Sequence, residues 1–196
     1  METAFRSEQK FTQAEFFKWL AARPSSDIHH YELLDRHIVM TPPAGYPHSM
    51  IGVRISAALL QHVRTLRLGL VSDATAGYEL PSGDTVEPDV SFVTADTLKA
   101  GRKPEPGSFF RIVPDLVVEI VSKTGARRDT VEKRRIYEKN GVAEYWLIYP
   151  KTRHVSVLRL VDGRFTSPLD IVSGSVRSSV LSDFEIPLAE IFADCG

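Results

Sequence analysis

The chain has 196 residues, 43% hydrophobic and 25% charged, with a formal net charge of −1. That suits one compact domain with a full core, and it excludes a globally basic nucleic-acid binder; any such binding must come from a local basic patch. No apolar run approaches the roughly 20 residues of a membrane span, so no membrane partner is expected.

The N-terminus, Met1 to Glu8, lacks the basic start and apolar core of a signal peptide. The single cysteine, Cys195, cannot form an internal disulfide. Both point to a cytoplasmic location. A lone cysteine at the end of the sequence is also a poor candidate nucleophile.

Residues 12–22 read as a helix. Thr12 with Glu15 fits a capping box, and Phe16, Trp19 and Leu20 share a face. Residues 1–28 are read as a helical N-terminal extension of a single domain spanning 1–196. Tyr31 to Leu34 and His37 to Met40 read as strands around a turn at Asp35-Arg36. Thr41-Pro42-Pro43-Ala44-Gly45 is a loop. From His48 to Leu66, the residues Ile51, Ile55, Leu59 and Val63 recur at helical spacing, with Gly69 as the expected stop.

Short strands follow near Leu70 to Ala74, Gly77 to Leu80 and Asp89 to Val93. Pro81-Ser82-Gly83-Asp84 is expected to be the hairpin turn between the last two. Residues 96–110, with Lys99, Arg102 and Lys103, read as a short helix and a loop. A strand over 115–121 and a helix from about 126 to 140 come next, closed by Asn140-Gly141. Strands at Ala143 to Tyr149 and His154 to Leu160 lead to a turn at Asp162-Gly163, then Arg164 and Phe165. Pro187 opens a short final helix. The expected fold is a mixed α/β domain, a central mixed sheet flanked by helices.

Three residues stand out. Glu119 sits in Leu116-Val117-Val118-Glu119-Ile120-Val121, a run apolar on both faces, where a carboxylate is costly unless paired or metal-bound. Turning the next helix at about 100° per residue puts Asp129, Lys133, Ile136, Tyr137 and Asn140 on one side. That side carries the large apolar groups, so Lys133 points inward. Asp89 follows Glu87-Pro88 and opens a strand, where a carboxylate can reach a cleft. Each also has an ordinary reading: a structural salt bridge for Glu119, an exposed Asp129–Lys133 pair, and a turn-edge Asp89.

Together, two carboxylates on adjacent strand ends and a lysine can hold a hard divalent cation over a phosphate. Mg²⁺ keeps several waters, so two protein carboxylates suffice. The lysine would orient a water and offset developing charge.

Several segments resemble the Uma2 family, restriction-endonuclease-like proteins of the PD-(D/E)XK superfamily. They are Glu87-Pro88-Asp89-Val90, Pro114 to Ser122, Arg128-Asp129-Thr130-Val131-Glu132-Lys133 with Tyr137, and Gly141 to Ile148. Tyr31-Glu32-Leu33-Leu34-Asp35 and Pro42-Pro43 before His48 resemble its N-terminal motif, and the likeness runs from about Tyr31 to Phe192. It implies a restriction-endonuclease-like core and a DNA endonuclease with Asp89 and Glu119 as metal ligands. The ion implied is Mg²⁺ or Mn²⁺. Lys133 would be the catalytic lysine, and Glu32 an extra acid that completes the metal shell or holds the lysine.

Departures are Arg36-His37, Ser122-Lys123-Thr124-Gly125 and Tyr149. None removes a ligand, but Lys123 becomes a rival for the lysine role. Lys123, Arg127, Arg128, Arg134 and Arg135 form a basic cluster suited to DNA phosphates, or simply a solvated helix face. His48 is expected to cap its helix or line a cleft. Two cuts on a duplex imply a homodimer. The rival reading is a non-catalytic DNA-binding or protein-interaction member of the same fold.

Overall fold

The computed structural model describes residues 5–101 and 105–195; Arg102 and Lys103, placed above in a loop, lie outside them. Helix α1 (Gln13–Ala21) begins at a full capping box, in which Thr12 N–H donates to Glu15 Oε2 at 2.7 Å and Glu15 N–H donates to Thr12 Oγ1. Its buried Phe16 packs on Tyr31, Leu33 and Ile38 of the hairpin β1 (His30–Leu34) and β2 (His37–Thr41). Asp35 and Arg36 both take positive φ, 50° and 70°, as a two-residue hairpin turn requires.

Helix α2 (His48–Leu66) buries Ile51, Ile55, Leu59 and Val63. It ends at Arg67, which adopts the left-handed conformation (φ 54°) and donates its N–H to Val63 O. The expected stop, Gly69, instead opens β3 (Gly69–Asp73), where a Cβ would lie 2.0 Å from Val93 O. Glycine is needed there for close strand approach, not for helix termination.

The turn at 81–84 joins β4 (Tyr78–Glu79) to β5 (Thr85–Val86), not to the strand after it. β5 is a strand the sequence did not announce, because two residues show no alternation. Then come β6 (Val90–Thr94), α3 (Ala95–Ala100) and β7 (Leu116–Ile120). A π-helical turn (Arg128–Lys133) runs into α4 (Arg134–Asn140), capped by left-handed Gly141 (φ 83°). The rest is β8 (Glu144–Tyr149), β9 (His154–Val161), β10 (Arg164–Phe165), β11 (Leu169–Ile171), β12 (Ser175–Arg177), β13 (Glu185–Pro187) and α5 (Leu188–Ile191).

The central sheet runs β10-β9-β8-β7-β6-β3, with β11 also on β9. Within this sheet, among the described residues, only β7 and β8 pair in parallel, which the π turn and α4 make possible as the crossover. The single sheet expected is therefore joined by two smaller ones, β2-β1-β5-β4 and β12-β13.

On one face, Leu116, Val118 and Ile120 pack with the α2 stripe, Trp146 and Phe192. On the other, Val117, Tyr145 and Leu147 pack with Ile136, Tyr137 and Leu34. The fold is α+β, a mixed sheet between helices. No helix among the described residues is long and apolar enough to cross a membrane.

Candidate active site

The antiparallel register Val90↔Val118 sets Asp89 across from Glu119, at the ends of β6 and β7. Asp89 Oδ2 accepts the Ile120 N–H at 2.6 Å, which locks the carboxylate to the neighbouring strand. Glu119 shares the Val117 face and is buried, 4% exposed.

Lys133 reaches Glu119 from the widened helical turn. Two hydroxyls take backbone acceptors inside that turn: Thr130 Oγ1 donates to Ala126 O at 2.6 Å and Tyr145 OH to Asp129 O at 3.0 Å. Both carbonyls would otherwise accept α-helical N–H groups, which accounts for the local widening. The inward side anticipated for Lys133 is the buried one, shared with Asp129, Ile136 and Tyr137.

The lysine is itself only 2% exposed. Its Nζ lies 2.5 Å from Glu119 Oε1 and 2.8 Å from Glu32 Oε1. Tyr137 OH donates to the same Glu119 oxygen at 2.7 Å, and Glu32 Oε1 accepts the Glu87 N–H at 2.9 Å. Glu32 thus holds the lysine. Lys123, the rival, lies past the end of β7 and is exposed.

These groups form the floor of a cavity of about 1400 Å³. His48, at the start of α2, lines it as anticipated, with Nε2 3.2 Å from Asp89 Oδ2. Of the basic cluster, Lys123 and Arg128 line the cavity. Arg128 Nη1 donates to Thr41 Oγ1 at 2.9 Å, and its Nε lies 3.3 Å from Asp129 Oδ1. Arg127 and Arg134 are not in the lining; Arg127 is paired with Glu132 at 2.7 Å, and Arg135 with Asp35. These cations group around the site in sequence, with a solvated helix face as the ordinary reading; Arg127, Arg134 and Arg135 lie outside the lining.

The Uma2 family profile, described as "Putative restriction endonuclease", matches residues 13–189. The chain belongs to the Uma2 family. The match begins within α1, ahead of Tyr31, and stops just short of Phe192. A crystal structure from Anabaena variabilis, described as a putative nuclease belonging to DUF820, superposes with a TM-score of 0.76. It covers 93% of this chain and 97% of that one at 20% identity, so the fold is shared. No curated protein matches the chain.

In this Uma2 protein, the site is rich in acid. Glu32, Asp73, Glu87, Asp89, Glu119 and Asp129 line the cavity; the acids gather around Lys133 and Arg128, while Lys123, Lys151 and Arg153 also belong to the lining. Burial pushes Glu119 well above the carboxylate range; Lys133 opposes this, and the nearby acids add to it. Burial likewise lifts Asp129 to about 6, despite Lys133 and Arg128. Lys133 shows the converse. Burial alone would lower it, but Glu119, Glu32 and Asp129 outweigh that and hold it firmly protonated. Asp89 is opposed by burial too, yet the hydrogen bond and charge of His48 keep it below its ordinary value.

Among the described residues no group of three or more His, Cys, Asp or Glu could hold a metal ion. The candidate donors from the sequence, Asp89 and Glu119, are two carboxylates side by side at strand ends. Each engages one oxygen in a hydrogen bond within the chain, Oδ2 and Oε1 respectively. All-oxygen donors in an acid-rich cavity suit a hard divalent cation, which also relieves the excess negative charge.

Several residues at or behind the cavity lining escaped the sequence reading. Tyr137, buried behind the lining, stands on the inward helix side and in the family resemblance with no role for its hydroxyl, which holds Glu119. Lys151 and Arg153 lie after β8, and Cys195 folds back to the wall with Arg54 Nη1 3.4 Å from its sulfur. Local sequence carries no signal for such long returns.

Proposed function

We propose that this protein is a divalent-metal-dependent endonuclease that hydrolyses DNA phosphodiesters. The observation that carries the reading is Lys133 Nζ, buried against Glu119 and Glu32 on the cavity floor beside Asp89. Family membership supports the same reaction class.

Asp89 and Glu119 would hold Mg²⁺ or Mn²⁺, which polarises a phosphoryl oxygen and supplies a hydroxide-like nucleophile. The Ile120 N–H and His48 keep the Asp89 carboxylate aimed at the cavity. Tyr137 fixes Glu119, and Glu32 fixes Lys133. With its proton held by the surrounding acids, Lys133 orients a water and offsets the negative charge that builds on the phosphate.

The rival is a non-catalytic DNA-binding or protein-interaction member of the fold. The closed Lys133–Glu119–Tyr137 contact favours it, since a purely structural network would look the same. Calorimetric titration of Mn²⁺ into wild type and Asp89→Ala separates the two. The nuclease reading expects binding in wild type and its loss in the variant. Equal heats in both would remove the metal site.

A further inference from the structure

The lining of the cavity above the carboxylates has two unlike parts. One is the loop 41–47 with the start of α2, contributing Pro42, Pro43, Tyr46, Pro47 and Val53. Tyr46 is 65% exposed, and its hydroxyl donates to Asp194 O at 2.6 Å, anchoring the ring's far end. Three prolines stiffen this wall.

Another part of the lining is cationic. Strands β7 and β8 are parallel, in register Ile120↔Ile148, and both end at the cavity. Lys123 and Lys151 each lie three residues beyond that pair, at equivalent positions on neighbouring loops. Both are exposed, both line the cavity, and neither makes an ion pair among the described residues. Arg153, nearby, is committed to Phe192 O and Cys195 O at 3.0 and 2.8 Å. Two uncommitted lysines at the rim of an acid-rich floor suit a ligand that brings its own negative charge.

We infer that this cavity takes a single unpaired DNA strand. A backbone phosphate lies between Lys123 and Lys151, and a base packs on Tyr46 and the proline wall. The inference rests on the nuclease reading and narrows its substrate. A duplex keeps its base faces stacked inside and offers backbone and groove edges. It gives an apolar wall nothing to cover. An unpaired strand exposes base faces, and a cationic track beside an aromatic platform is the chemistry that binds them. Depth agrees: the scissile phosphate must reach Glu119 and Lys133, which are 4% and 2% exposed. One strand needs one site per cut, so the pair of chains expected for a duplex is not required.

The test is fluorescence anisotropy with a short labelled oligothymidylate and a labelled hairpin duplex. It is run with the full chain in EDTA and in Mg²⁺, and probe integrity is checked on a gel. The single strand should bind roughly tenfold tighter than the hairpin. Tyr46→Ala should weaken single-strand binding by about 5- to 100-fold, as loss of one stacked base does. Tyr46→Phe, which keeps the ring but loses the Asp194 contact, should bind like wild type. Lys123→Ala and Lys151→Ala should each lower the slope of log affinity against log salt by about 0.7. A hairpin that binds as tightly as the single strand overturns the inference and leaves the nuclease reading standing. So does a Tyr46→Ala variant that binds like wild type. Failure of both probes to bind removes the nuclease reading as well.

Discussion

Replacing Lys133 by methionine keeps the length and apolar stem of the side chain and removes its charge. Lys133 is buried between Glu119 Oε1 and Glu32 Oε1, at 2.5 and 2.8 Å, so the variant strands two buried carboxylates. Breaking a buried ion pair from one side costs about 3–5 kcal/mol, because the remaining charge stays desolvated. The cost depends on pH in a definite direction. Burial already raises Glu119 above the carboxylate range, and Lys133 is the main group pulling it back. Without the lysine, its folded pKa rises further, while the unfolded value stays near about 4.3. The folded variant then binds protons more tightly than the unfolded chain, so stability falls as pH rises from the unfolded to the folded pKa. Urea unfolding should show the full deficit at about pH 8 and a smaller one near the unfolded carboxylate pKa. A second change, Glu119→Gln, should recover part of it, with a coupling of about 0.5–3 kcal/mol. A variant within about 0.5 kcal/mol of wild type at pH 8, or a deficit that grows on acidification, would refute the buried triad.

Other expectations follow from the same contacts. Asp129 is raised from 3.8 to about 6 by burial, so it costs the fold stability as pH rises through that window. The stability of Asp129→Asn relative to wild type should therefore rise as pH climbs from the unfolded carboxylate pKa to neutral, by urea midpoint. Tyr137→Phe removes a buried donor to Glu119, and thermal and urea unfolding should register a loss of about 1–3 kcal/mol. Gly69→Ala sets a methyl 2.0 Å from Val93 O, so more than about 2 kcal/mol should be lost; an unchanged urea midpoint would contradict the tight β3–β6 approach. Thr12→Ala breaks the capping box of α1 and should cost about 1 kcal/mol, again by urea midpoint.

Helix α2 was legible to the residue because its apolar positions keep one phase over 19 residues. Strand β7 was legible because a five-residue run buried on both faces leaves no other role. The inward aim of Lys133 followed from helical phase, and Asp129, Ile136 and Tyr137 share its buried side. The π turn itself was not legible. It depends on Thr130 bonding Ala126 within the helix and on Tyr145 reaching across from β8, and only the first is local.

The strands β5, β11, β12 and β13 were missed because two or three residues carry no period, and their pairing comes from partners elsewhere. Where the basic residues sit depends on placement beyond local sequence too. Arg127 and Arg134 are close to Arg128 in sequence, but helical rotation separates them from the cavity. Lys151 is distant in sequence, and strand register brings it level with Lys123. Tyr46 gave no sign of cavity exposure, since that depends on how the loop 41–47 sits against the end of the chain.

The most direct test is cleavage of end-labelled single-stranded and plasmid DNA by wild type and Asp89→Asn, in Mg²⁺, Mn²⁺ and EDTA. Circular dichroism confirms that both chains are folded. Cleavage should need the cation and fall by at least about a hundredfold in the variant. Cleavage that persists in EDTA, or proceeds equally in folded Asp89→Asn, would contradict a metal-dependent nuclease centred on Asp89 and Glu119.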